Sequence, residues 1–131
     1  MAARVLVADD DLALQVLLNV ILSRAGFSVE FASDGREALQ KIDGDSYDVV
    51  MLDLILPEVS GIEILDRLQS EKPDRLHKVI VLTGASLGII DKVDTSRIHA
   101  LVRKPFDIGD VIRLTAECAR KSSFAGTANA S

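Results

Sequence analysis

Four strand-like runs of this chain, largely apolar, end on residues that can do chemistry. Residues 5–8 lead into Asp9 and Asp10, residues 49–52 into Asp53, residues 78–82 into Thr83, and residues 98–102 into Arg103 and Lys104, with Pro105 behind. If these runs are parallel strands of one sheet, their carboxyl ends share one edge, where open α/β folds place their sites. Carboxylates gathered there repel by roughly 4 kcal/mol per pair at about 4 Å with an effective dielectric near 20. A divalent cation, or the Lys104 ammonium, would relieve that repulsion.

The stretches between these runs have to position them. Residues 4–8 read as a short strand apolar on both faces, as a central parallel strand would be. Asp11 caps a helix over residues 12–24, in which Leu14, Leu17, Leu18, Ile21 and Leu22 recur at helical spacing, and Gly26 follows where a left-handed residue closes a helix. Residues 27–31 form a second strand. Ser33 or Asp34 caps the next helix, which carries Ala38, Leu39 and Ile42 and stops near Gly44. Residues 47–53 make the third strand, and Ser60 with Glu63 forms a capping box for a third helix that ends before Pro73. Residues 78–83 are the fourth strand. Ser86 opens a short helix containing Leu87, Ile89, Ile90 and Val93, and residues 98–102 follow as the fifth strand. Asp107 caps a last helix carrying Ile108, Val111, Ile112, Leu114 and Cys118. Residues 122–131 are small, polar and linker-like. Five strands alternating with five helices predict an α/β, doubly wound parallel sheet with right-handed crossovers.

The bulk composition narrows the function classes. A length of 131 residues with 48% hydrophobic content fits one domain with a single core. A single cysteine, Cys118, allows no intramolecular disulfide, so a cytoplasmic location is the expectation. No apolar stretch approaches the roughly 20 residues of a membrane helix, and the first residues lack a signal-peptide pattern. With 15 basic and 20 acidic residues the net charge is -5, opposite in sign to a nucleic-acid footprint. His77 and His99 lack paired ligand spacing and read as surface or strand-edge residues. Cys118 reads as packing on the inner side of its helix.

The motifs Val7, Ala8, Asp9, Asp10; residues 48–61 around Asp53; residues 79–85 around Thr83; and Arg103, Lys104, Pro105, Phe106 together resemble the receiver domain of two-component response regulators. The resemblance spans residues 3–121 and implies a flavodoxin-like receiver fold of strand order 2-1-3-4-5, with residues 122–131 a flexible tail or linker. It implies that Asp53 accepts a phosphoryl group from a phosphohistidine on a sensor histidine kinase or histidine phosphotransfer protein. It implies Mg²⁺ held directly by Asp10 and Asp53, through water by Asp9, and by the backbone carbonyl of Ile55, a set suited to a hard cation that keeps several waters. Lys104 and the Thr83 hydroxyl would meet the phosphoryl oxygens, Gly84 and Ala85 would leave room, and a cis Pro105 would turn Lys104 toward the site.

In the family, a switch aromatic stands three residues before the lysine; here that position is Leu101. An apolar Ile55 two residues after Asp53 implies a long-lived phosphoaspartate, because it can obstruct the attacking water. Arg97 to Ala100 replace the usual Gly and Ala pair, which implies a short or displaced fourth helix. The resemblance also implies an unknown downstream protein or output domain, and a possible homodimer through the fourth helix, fifth strand and fifth helix. Two other functions stand beside it: a phosphorylation-independent pseudo-receiver acting as an interaction module, and a Mg²⁺-dependent phosphatase with an aspartyl nucleophile. The second fits poorly, because such enzymes commonly carry an acid where Ile55 stands.

Overall fold

A computed structural model describes residues 2–130, with side chains described to residue 122. Strands β1 (Arg4–Ala8), β2 (Ser28–Ala32), β3 (Val49–Leu52), β4 (Val79–Thr83) and β5 (Ala100–Arg103) alternate with helices α1 (Leu12–Arg24), α2 (Gly35–Gly44), α3 (Gly61–Glu71), α4 (Leu87–Ile90) and α5 (Ile108–Ala130). All neighbouring strands pair in parallel, in the order β2-β1-β3-β4-β5. The expected fold class and strand order are therefore those observed.

The central strands read as continuous apolar runs because both faces of the sheet are covered. Alternation then sorts their side chains between two cores. Leu6, Ala8, Val50, Leu52, Val79 and Val81 join Leu39, Ile42, Ile64 and Leu68 from α2 and α3. Val5, Val7, Val49, Met51, Ile80 and Leu82 join Leu14, Leu18, Leu22, Val111 and Cys118 from α1 and α5. Each fully buried side chain such as Leu18 contributes about 1.5–3 kcal/mol.

The caps are local. Asp11 accepts from the N–H groups of Ala13 and Leu14, Asp34 from that of Glu37, and Ser60 from that of Glu63. Gly26 takes the left-handed conformation after α1, at φ 99°, which a residue without a Cβ adopts at no steric cost. Between Asp34 and Ser33, the two candidate caps of α2, the chain uses Asp34.

Some boundaries differ from expectation. A 3-10 helix, Pro73–Lys78, takes Lys78 out of β4. Pairing of Ala100 with Ile80 starts β5 two residues later than its apolar pattern suggests, because Ile98 is buried against the core without extending the strand. Helix α4 is four residues long and Val93 lies beyond it, in keeping with the short fourth helix expected. Helix α5 passes residue 122 without a break, so no change of secondary structure marks the start of the linker-like stretch. Of the two readings of His99, surface or strand-edge, the second holds: it precedes the edge strand β5, with its side chain only 4% exposed. Among the described residues no helix is long and apolar enough to cross a membrane.

Candidate functional site

The register of the sheet brings the four strand ends level. Ala8 pairs with Leu52, so Asp9 and Asp53 emerge side by side, and the Asp53 N–H donates to the Ala8 carbonyl at 3.0 Å. Thr83 ends the neighbouring strand β4. The Lys104 N–H donates to the Thr83 carbonyl at 2.8 Å, which fixes where the lysine leaves β5. Asp9, Asp10, Asp53, Thr83 and Lys104 thus meet at one edge, as their spacing predicts.

Both carboxylate oxygens of Asp53 are engaged. Oδ1 accepts from the Thr83 hydroxyl at 2.8 Å and from the Ile55 N–H at 3.1 Å, while Oδ2 accepts from Lys104 Nζ at 3.0 Å. The same ammonium donates to Asp9 Oδ2 at 2.7 Å, and the Asp11 N–H donates to Asp9 Oδ1 at 2.9 Å. Thr83 Oγ1 in turn accepts from the Ala85 N–H at 3.1 Å. Asp9, Asp53 and Thr83 are buried, at 2%, 7% and 0% exposure, whereas Asp10 is exposed.

This environment sets the protonation balance. Burial raises the Asp9 carboxyl above its ordinary 3.8, against the opposing pull of Lys104 and the Asp11 N–H. Burial pulls Lys104 down, but its bonds to Asp9 and Asp53 outweigh that and leave it raised, so the ammonium stays charged. Carboxylate oxygens of Asp9, Asp10 and Asp53 lie within 4.8 Å of one another. Three carboxylates against one ammonium leave an excess of about two negative charges. An all-oxygen donor set with that deficit fits a hard divalent cation.

The remaining expected residues fall around this centre. Ile55 turns its side chain outward, 55% exposed, while its N–H serves Asp53. The Lys104–Pro105 bond is cis. A Cβ on Gly84 would meet Lys104 carbons at 3.8 and 3.9 Å, an ordinary contact. Leu101 stands apart from the centre, on β5, packed with Ile89, Ile90 and Val93 against the α2/α3 core. Cys118 is wholly buried, and burial pushes its thiol up to about 12, the surroundings of a packing residue.

Two residues at this edge carry no chemistry visible in the sequence pattern. Gly61 approaches the back of the Asp53 peptide so closely that a Cβ would sit 2.1 Å from the Asp53 carbonyl oxygen. Gln15 donates through Nε2 to the Asp9 carbonyl at 2.6 Å and to Ser33 Oγ at 3.2 Å. Its only signal in the sequence is an amide in a helix otherwise rich in leucine and valine.

The model of the response regulator receiver domain family matches residues 5–116. The transcriptional regulatory protein TrcR of Mycobacterium tuberculosis is 36% identical over 122 residues, covering 92% of this chain and 46% of that protein. The sporulation initiation phosphotransferase F of Bacillus subtilis is 32% identical over 114 residues, covering 85% of this chain and 89% of that protein. Against the first three curated relatives the chain spans only 36% to 52% of their length. A CheY-like receiver domain from Methanospirillum hungatei superimposes with a TM-score of 0.84 at 28% identity, covering 95% of this chain and 99% of that one. The response regulator TrrA of Thermotoga maritima, solved in complex with Mg²⁺-BeF, gives a TM-score of 0.78 at 30% identity, covering 90% and 99%. Sheet order, site geometry and these matches agree, and the chain belongs to the response regulator receiver domain family of two-component signalling.

Proposed function

We propose that Asp53 is the phosphoacceptor, taking a phosphoryl group from the phosphohistidine of a sensor histidine kinase or histidine phosphotransfer protein. The observation that carries this reading is the Asp53 carboxylate, held between the Thr83 hydroxyl and the Lys104 ammonium beside two further acids. A carboxylate oxygen of Asp53 attacks phosphorus as the P–N bond breaks, and the imidazole nitrogen leaves with the electron pair. Such a transfer asks mainly for in-line positioning and for neutralising charge on the phosphoryl oxygens. Mg²⁺, held by Asp10, Asp53 and the Ile55 carbonyl and through water by Asp9, would supply part of that neutralisation when bound.

The rest falls to this chain's own groups. Phosphorylation puts a phosphoryl group of close to two negative charges on Asp53 in place of its single carboxylate charge, so the negative excess at the site grows by about one. Thr83 and Lys104, now bonded to carboxylate oxygens, re-aim at phosphoryl oxygens, and the Ala85 N–H is positioned to follow the hydroxyl. Small Gly84 leaves the approach open. Movement of Thr83 is the start of the signal. Leu101, two residues before Arg103, which pairs with Thr83, repacks against α4 in place of a rotating aromatic.

Leu12, Ile55 and Ile108 are exposed apolar side chains on segments leaving the same sheet edge, which suits a protein donor better than water. Ile55 also shields the acyl phosphate, so autodephosphorylation is slow. Residues 3–121 act as the receiver unit in the cytoplasm, with residues 122–131 a linker or tail. The output passes to a further protein or domain, or to a second copy through α4, β5 and α5.

The short α4 and Leu101 favour one rival, a phosphorylation-independent interaction module. Intact mass after incubation with Mg²⁺ and acetyl phosphate, beside Asp53→Asn, decides between them. Gain of one phosphoryl group by the parent alone is expected. No gain, with acetyl phosphate and with a phosphorylated kinase alike, leaves the interaction module.

A further inference from the structure

Of the three clustered acids, Asp10 is the one whose direction nothing but its backbone sets. Asp9 is held by Lys104 and the Asp11 N–H, and Asp53 by Thr83, Ile55 and Lys104. Among the described residues the Asp10 carboxylate makes no hydrogen bond, yet it lies within 4.8 Å of the other two. Its aim therefore depends on the peptide that joins it to Asp9. That peptide is planar, so a group that fixes the Asp9 carbonyl fixes the plane from which Asp10 departs.

Gln15 is that group. Its Nε2 donates to the Asp9 carbonyl at 2.6 Å and to Ser33 Oγ at 3.2 Å, tying the β1–α1 turn to the β2–α2 turn. Ser33 is itself anchored, its N–H donating to Glu37 Oε1 at 3.0 Å. Helix α1 begins on the Asp11 cap, so Gln15 stands one turn above the acids on a rigid element. We infer that Gln15 is a positioning residue for Asp10, and that it sets the affinity of the acidic centre for Mg²⁺. The inference rests on the reading that this centre takes Mg²⁺.

The test is calorimetric titration of the metal-free protein with Mg²⁺ alone, comparing the parent, Gln15→Met and Gln15→Ala. Outer-shell partners of metal ligands typically change affinity by about 10–100-fold when removed. A dissociation constant raised about 10-fold or more is expected in both variants. Placed on Asp10→Asn, the Gln15 substitution should add nothing further, because its effect runs through that carboxylate. An unchanged constant in either folded variant overturns the inference, as does an equal loss on the Asp10→Asn background. Gln15→Ala keeps a strong helix former and serves if Gln15→Met fails to fold. A parent that binds no Mg²⁺ removes the reading and the inference together, whereas a parent that binds beside unaffected variants removes the inference alone.

Discussion

Opposite edges of the sheet hold similar clusters of charge in different surroundings. At the amino edge Arg4 reaches Glu30 at 2.5 Å and Asp45 at 2.6 Å and lies 4.8 Å from the Tyr47 ring centroid, with all three ionic side chains between 35% and 49% exposed. At the carboxyl edge Lys104 meets Asp9 and Asp53 at 2.7 and 3.0 Å, but those carboxylates are 2% and 9% exposed. Both clusters carry more acid than base. Water disperses the excess at the amino edge, where exposed pairs contribute little. Burial preserves it at the carboxyl edge, where a ligand of the right charge can neutralise it.

That contrast makes Lys104→Met the most damaging change. Removing one partner of a buried pair strands the other, at about 3–5 kcal/mol, so a urea midpoint at pH 7.5 should fall far more than for Arg4→Met. Equal shifts would mean that burial is not what separates the edges. Mg²⁺ at 100 times its dissociation constant should raise the unfolding free energy by about 2.7 kcal/mol, and Asp10→Asn should lose most of that gain in a thermal scan. Stabilisation retained in full by Asp10→Asn would place the ion elsewhere.

Asp9 gives the contrast a pH dependence. Its folded pKa is raised above 3.8, so the native state holds this proton more tightly than the unfolded chain. The stability it contributes is complete below 3.8 and is lost as pH rises through the folded value. Asp9→Asn should therefore stabilise metal-free protein at pH 7.5, with an advantage that shrinks toward pH 4; a constant difference across that range would contradict the sign. Ile55→Asn, which admits water to the mouth of the site, should shorten the phosphoaspartate lifetime several-fold by intact mass against time.

The smallest effect lies at the amino edge. Burial lowers His99, assisted by Lys121 and opposed by Glu117, with His77 a further lowering influence. Among the described residues its Nε2 has no hydrogen-bond partner, and it sits 3.8 Å from Glu117. A lowered histidine leaves stability full above about 6.5 and eroding as pH falls toward its folded pKa. An NMR titration should put His99 below 6.5, and a higher value would show that Glu117 outweighs burial.

How much of this was legible in the sequence follows from which contacts are local. Strand ends such as Asp53 and Thr83 stand out because buried parallel strands must be apolar throughout, and Asp11, Asp34 and Ser60 cap through neighbours two or three residues away. The start of β5 eludes the apolar pattern because Ile98 is apolar for core packing and not for strand pairing. The burial of His99, the contact of Gly61 with the Asp53 carbonyl and the reach of Gln15 to Ser33 all cross between elements. Periodicity records which face a residue occupies and is silent on what it meets there.

The sorting of the central strands into two cores makes the sheet a partition. Val50 and Met51 are adjacent in the chain, yet Val50 belongs to the core of α2 and α3 and Met51 to that of α1 and α5. The strands that deliver Asp9, Asp53 and Thr83 are thus clamped from two sides by separate groups of side chains. A side chain lost from one compartment leaves the packing on the other face of the same strands in place, so the edge they carry is held twice over.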